Sequence, residues 1–271
     1  MTLTQIESRI ARLEGKRRRL SYLSPVDFAR NTLDFQPDSW QRDALEYPGK
    51  RLILNCSRQS GKSTVAAIKG LHRAVFYPSS LVLLISASFR QSQELFRKVS
   101  DFSESVDVEK TEDNRLSATL SNGSRIISLP SKESTIRGFS GADLIIEDEA
   151  ARVPDDLYYA LRPMLATSDG ALILMSTPFG KRGHFFHEWT SGDSWEKISV
   201  PATECERISA EFLSEELQSL GEYWWRQEYG TEFMETVDSV FSYEMIQNAF
   251  TDEVTPLFED AECETKNPAF I

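Results

Sequence analysis

The chain has 271 residues, 40% of them hydrophobic and 27% charged, with a formal net charge of −12. That is a globular balance with length enough for a sizeable buried core. It excludes a general nucleic-acid coat, which needs basic surface throughout, but not a protein that meets DNA through one local patch. There is no run of about eighteen apolar residues to span a membrane, and the N-terminus lacks the apolar stretch of a secretory signal. Cys56, Cys205 and Cys263 are too scattered for a disulfide framework or a zinc site, so the expected setting is the reducing cytoplasm.

In chain order, residues 4–20 read as an amphipathic helix with Ile6, Ile10, Leu13 and Leu20 on one face. The basic run Lys16–Arg19 is either a contact for DNA or a partner, or a solvated helix end. "RLILN" from 51 is a short buried strand, followed by a loop and a helix over 62–76. "SLVLLIS" is a second strand and "FRQSQELFRKVSDF" a second helix. "RLSATL" and "SRIISLP" flank Ser121-Asn122-Gly123, a hairpin signal in which both Asn122 and Gly123 tolerate positive φ. "ADLIIEDEA" is a strand ending in acid, "DDLYYALRPML" a helix and "GALILMSTP" another buried strand. "GHFFHEWTS" reads as a short helix and "WEKISVPA" as a strand. "SAEFLSEELQSLGEYWWRQEYG" supplies one or two helices, with Ser209 and Ser214 as candidate caps.

Short apolar strands alternating with helices predict an α/β fold, a predominantly parallel central sheet with helices on both faces. A small helical C-terminal subdomain follows. The expected division is an N-terminal helix or arm over 1–30 and a core over 31–205. A helical lid or linker over 206–240 and a linker or tail over 241–271 complete it. Ligands of such sheets bind at the carboxyl ends of the strands. Three suspect loops, at 56–63, 147–149 and 176–180, all follow a predicted strand.

The first loop, "NCSRQSGKST", ends in Gly61-Lys62-Ser63. That triplet arises by chance in roughly one chain in ten of this length, but here it sits between a strand and a helix, as a phosphate loop must. Gly61 lets backbone approach phosphate, Lys62 reaches the β- and γ-phosphates, and the Ser63 hydroxyl suits Mg²⁺. The usual first glycine is replaced by Cys56, so that position should not need positive φ. In the second loop Asp148 suits an Mg²⁺ ligand and Glu149 a base for the attacking water. Glu147 points to the other face and reads as a solvated strand end. In the third, the Ser176 and Thr177 hydroxyls can meet the γ-phosphate or its water. Arg58 and Arg137 are each either a charge-neutralising finger or a surface ion pair. Gln41 upstream can pair with an adenine edge.

"SRQSGKST", "LIIEDEA", "STPFGKRG", "TIRGFSG" and "WQRDAL" together resemble the ATPase domain of the large terminase subunit, the DNA-packaging motor of tailed bacteriophages, over about residues 30–240. The resemblance implies a P-loop NTPase of the RecA/ASCE-like kind, with ATP and Mg²⁺ as ligands. Ser57, Arg58, Gln59, Ser60, Gly61, Lys62, Ser63 and Thr64 would form the Walker A segment. Asp148 and Glu149 would be the Walker B aspartate and catalytic glutamate, Ser63 and Asp148 the metal ligands. Ser176, Thr177 and Pro178 would be the coupling motif and Gln41 the adenine reader. Arg58, and Arg137 acting on a neighbouring subunit, would be the finger candidates. Implied partners are double-stranded DNA, the capsid portal protein, a small terminase subunit and further copies in a ring, in the host cytoplasm and transiently on the procapsid. Family members usually continue into a nuclease domain with metal-binding aspartates. No such acid cluster follows residue 240, so nuclease activity is not expected in this chain. A helicase-like remodelling ATPase and a non-catalytic ATP-binding assembly module are the alternatives.

Overall fold

A computed structural model describes residues 23–131, 136, 138–235 and 243–249. The helix expected over 4–20 and its basic run lie outside the described residues, as does Arg137. Two compact units divide the chain, Met1–Met234 and Glu235–Ile271.

The first unit is built on one eight-stranded sheet of order β3-β4-β5-β2-β6-β7-β1-β8. Its strands are β1 (Arg51–Cys56), β2 (Leu81–Ser86), β3 (Lys110–Asp113), β4 (Ser117–Leu120), β5 (Arg125–Pro130), β6 (Leu144–Asp148), β7 (Ala171–Ser176) and β8 (Glu196–Val200). The five pairings among β5, β2, β6, β7, β1 and β8 are parallel, and only β3–β4 and β4–β5 are antiparallel. The helices are α1 (Pro25–Asn31), α2 (Ser39–Glu46), α3 (Lys62–Phe76), α4 (Phe89–Glu104), α5 (Asp155–Leu161), α6 (Gly183–Ser191) and α7 (Ala210–Glu228).

Alternation along the strands divides the core in two. Leu52, Leu54, Val82, Leu84, Ile146 and Met175 face α1 to α4, while Ile53, Leu83, Ile85, Ile145, Leu172 and Leu174 face α5 and α6. The strands are apolar on both faces because both faces are covered. β3 is polar and mostly exposed, and it pairs only at the sheet edge. It carries no hydrophobic pattern, so nothing in the sequence marks it as a strand.

Two local expectations are corrected. Only Gly123 of the hairpin turn takes positive φ, at 84°. Asn122 instead donates its amide to the carbonyls of Ala74 and Val75 at the end of α3, at 2.8 and 3.2 Å. Ser209 does cap α7, its hydroxyl accepting from the Phe212 N–H at 3.2 Å, but Ser214 lies inside the helix. The interruption comes at Gly221, whose φ of 77° and ψ of 164° only glycine adopts easily. In the second unit, Tyr243–Ala249 form a short helix, α8.

Register puts the candidate loops on one edge. Asn55 pairs with Ser176, Ser86 with Asp148, and Asp148 with Met175. β7 lies between β1 and β6, so the turn after Ser176 opens between the Gly-Lys-Ser loop and the acidic strand end.

Candidate active site

β1 delivers the chain to Cys56, which is fully buried and does not take positive φ. Burial pushes its thiol up to about 12. The left-handed positions fall later, at Gln59 (φ 62°) and Gly61 (φ 97°). The angle at Gly61 calls for glycine, while a Cβ there would meet only the movable side-chain ends of Gln41 (Nε2, 2.7 Å) and Arg207 (Nη2, 3.1 Å). Backbone bonds hold the loop on both sides: Ser57 N–H donates to Val200 O at 2.9 Å and Arg58 N–H to Glu228 O at 3.1 Å. The Ser60 hydroxyl donates to Ser57 O at 3.0 Å. Arg207 clamps it from above, donating to Ser60 O at 2.6 Å and ion-pairing with Asp38 at 2.8 Å.

Gln41 is buried against this loop, its Oε1 accepting from the Asp38 N–H at 3.0 Å in a capping box at the start of α2. Thr64, one turn into α3, stands 3.5 Å from Lys98 Nζ through its hydroxyl.

Lys62 Nζ reaches Glu149 Oε1 at 3.1 Å, and Ser63 Oγ lies 3.4 Å from Asp148 Oδ2. Asp148 Oδ1 accepts from the Glu149 N–H at 3.0 Å. Burial pushes the Asp148 carboxyl up to about 6, against the pull of Lys62. Burial lowers the Lys62 pKa, yet Glu149 and Asp148 outweigh it and leave it raised. Glu149 holds a left-handed backbone, φ 57° and ψ 39°. For a non-glycine residue this costs about 1–3 kcal/mol and marks places where side-chain direction matters.

Sequence reasoning missed Arg152. Its Nη1 donates to Glu149 Oε2 and to Thr177 Oγ1, both at 3.2 Å, and its guanidinium lies 4.5 Å over the Phe179 ring. Its Nη2 stands 3.6 Å from Glu228 Oε1, and the other oxygen of Glu228 pairs with Arg58 Nε. The result is one chain of charges, Lys62–Glu149–Arg152–Glu228–Arg58. The hydrogen bond to Glu228 raises the Arg58 pKa more than burial lowers it. Arg152 had a local signal, three residues after Glu149 where a helical turn brings side chains together. Arg207 and Glu228 had none.

Ser176 and Thr177 are both buried, but the Ser176 hydroxyl donates to Thr177 O at 2.7 Å, so only Thr177 faces Arg152. Glu147 is corrected outright. It points away from Asp148 as alternation requires, yet it is wholly buried and not solvated. Its partner is His184, with Nε2 3.4 Å from Glu147 Oε2. Burial lowers the His184 pKa, and the carboxylates of Glu147 and then Asp155 outweigh it and leave it raised.

Residues 53–248 match the family described as the terminase large subunit, T4likevirus-type, N-terminal. The chain belongs to this family. The large terminase subunit of Thermus phage G20c is 26% identical over 260 residues, covering 81% of this chain and 53% of that protein. The chain thus spans about half the length of the terminase large subunits it matches. The large terminase ATPase domain of Thermus phage P74-26 shares the fold with a TM-score of 0.70 at 22% identity, covering 78% of this chain and all of that one. A large terminase from a thermophilic bacteriophage, solved in complex with ADP, aligns with a TM-score of 0.62 at 10% identity over 73% of this chain and 54% of that one. The terminase fold therefore accounts for the mostly parallel sheet and for loops that open at one edge.

Proposed function

We propose that this terminase chain hydrolyses ATP and that hydrolysis drives double-stranded viral DNA into a procapsid. The observation that carries the reading is the meeting of Lys62, Ser63, Asp148 and Glu149 at one sheet edge, with contacts of 3.1 and 3.4 Å. The loop amides and the start of α3 favour phosphate. Lys62 and the finger candidate Arg58 neutralise charge on the γ-phosphoryl group, and the expected trans finger Arg137 would do so on a neighbouring copy. A phosphate competing for Lys62 releases Glu149 from its ion pair. Glu149 then accepts a proton from water as the water oxygen bonds to the γ-phosphorus and the bond to ADP breaks. Thr177 and Ser176 carry the expected coupling role, and Gln41 the adenine contact.

The donors at Ser63 and Asp148 are hard oxygens, and the Asp148 carboxyl is buried beyond what Lys62 compensates, so this pair fits a divalent cation such as Mg²⁺. Bound there, Mg²⁺ would neutralise charge on the phosphate oxygens. The expected partners follow from the same reading: the DNA, the portal protein, the small terminase subunit and further copies in a ring, working in the host cytoplasm. The helicase alternative needs a second sheet with its own arginine motif, and the described residues hold a single sheet.

The deciding experiment is packaging of double-stranded DNA into procapsids with the full-length gene product. Wild-type protein should protect DNA from added nuclease in an ATP-dependent way. Lys62→Ala should abolish both protection and phosphate release. Phosphate release that persists in Lys62→Ala and Glu149→Gln alike would sink the ATPase assignment. Hydrolysis without protected DNA would sink the packaging role alone.

A further inference from the structure

The face of β6 opposite the phosphate loop carries a polar cluster that the proposed hydrolysis does not use. Glu147 pairs in register with Ile85 and Leu174, on a sheet face otherwise lined by apolar side chains such as Leu83 and Leu172. Taking a carboxylate there costs several kcal/mol unless a cation meets it, and an apolar pair of similar volume is often as stable or more so. Packing alone therefore gives no reason for the acid.

The group that meets it is His184, the second residue of α6, itself almost wholly buried. Asp155, the first residue of α5, accepts at one oxygen from His184 Nδ1 at 3.1 Å and from the His184 backbone N–H at 2.7 Å. The other ring nitrogen faces Glu147 Oε2 at 3.4 Å, within ion-pair reach, and among the described residues neither Glu147 oxygen has a hydrogen-bond partner. The ring is pinned in plane by Tyr158, stacked at 4.4 Å and 9°. Gly183 makes the approach possible, with φ at 75° and a missing Cβ that would stand 3.3 Å from Asp155 Oδ1.

This cluster closes a loop of contacts around the acidic strand end. The turn from Thr177 to Arg182 is held in front, where Thr177 bonds to Arg152 and Arg152 to Glu149. It is held behind, where His184 meets Glu147. Two acids one residue either side of Asp148 thus anchor the two ends of one turn. We infer that Glu147, His184 and Asp155 are positioning residues: they lock the start of α6 to the end of β6, so that the turn 177–182 and the strand end bearing Asp148 and Glu149 move as one body. The inference rests on the ATPase reading for its catalytic consequence, not for the mechanical link.

The test uses two variants of the full chain. The double variant Glu147→Leu, His184→Leu removes both polar partners together and should melt no lower than wild type. Its kcat for ATP should fall roughly tenfold, with KM moving less than about twofold, because a misplaced base loses rate and not ground-state binding. Amide hydrogen exchange over 177–186 should quicken by roughly tenfold at unchanged melting temperature. Asp155→Asn, at a half-exposed site, should give a smaller effect of the same sign, about threefold in kcat, and it is read alone if the double variant does not fold. Unchanged kcat and unchanged exchange in the variant that folds would overturn the inference and leave the pair as packing only. If wild-type turnover proves independent of Glu149, the ATPase reading fails and the exchange result decides the link by itself.

Discussion

The two ends of the charge chain in the active site differ in where their partners come from. At one end Lys62, Ser63, Asp148 and Glu149 meet across neighbouring strand ends, each placed by its own short motif. At the other end Arg58 finds Glu228, 170 residues away at the close of α7. Arg152 joins them, touching Glu149 on one side and Glu228 on the other. The lesson is a division of labour. Strand ends bring the reacting groups together, and a helix outside the sheet sets how firmly an arginine of the loop is held.

That comparison breaks if a change at the helix end costs as much as one at the strand end. Glu149→Gln should lower phosphate release by about a hundred- to ten-thousandfold, the usual worth of a general base, with fluorescent ATP analogues still bound. Arg152→Ala sits between the two ends and should lower kcat by about tenfold to a hundredfold at nearly constant KM, since it orients Glu149 and Thr177 without touching the phosphates. Steady-state kinetics separate the two parameters.

At the helix end, Glu228→Gln should tighten ATP binding by only about threefold in a titration, because it frees Arg58 from a partly exposed ion pair of modest worth. A tenfold weakening instead would mean that Glu228 positions Arg58 for phosphate and does not restrain it. The smallest effect is at Cys56. With its pKa near 12, roughly one thiol in ten thousand is ionised at pH 8. Brief iodoacetamide treatment should leave Cys56 unlabelled in the folded chain and label it in urea, as read by mass spectrometry.

Much of the fold was legible because its determinants are local. Strands buried on both faces read as apolar runs, and Gly61 marks a place where glycine suits the left-handed backbone. The Gly-Lys-Ser loop and the acidic strand end were legible for the same reason, since each needs its residues within a few positions of a strand. Cys56 behaves as its side chain predicted, because the left-handed turn falls at Gln59 and Gly61 and not at the loop's first position.

What the tertiary structure alone decided is which charges meet. Nothing near Glu147 in the chain announces that His184 will meet it behind β6, so a buried acid read as a solvated one. Nothing near Ser60 announces Arg207, and nothing near Arg58 announces Glu228. Motifs are short because covalent neighbours and strand ends fix a few backbone groups. Counter-charges are chosen by desolvation, which acts through space: a buried ion takes whichever partner the packed helices bring within reach.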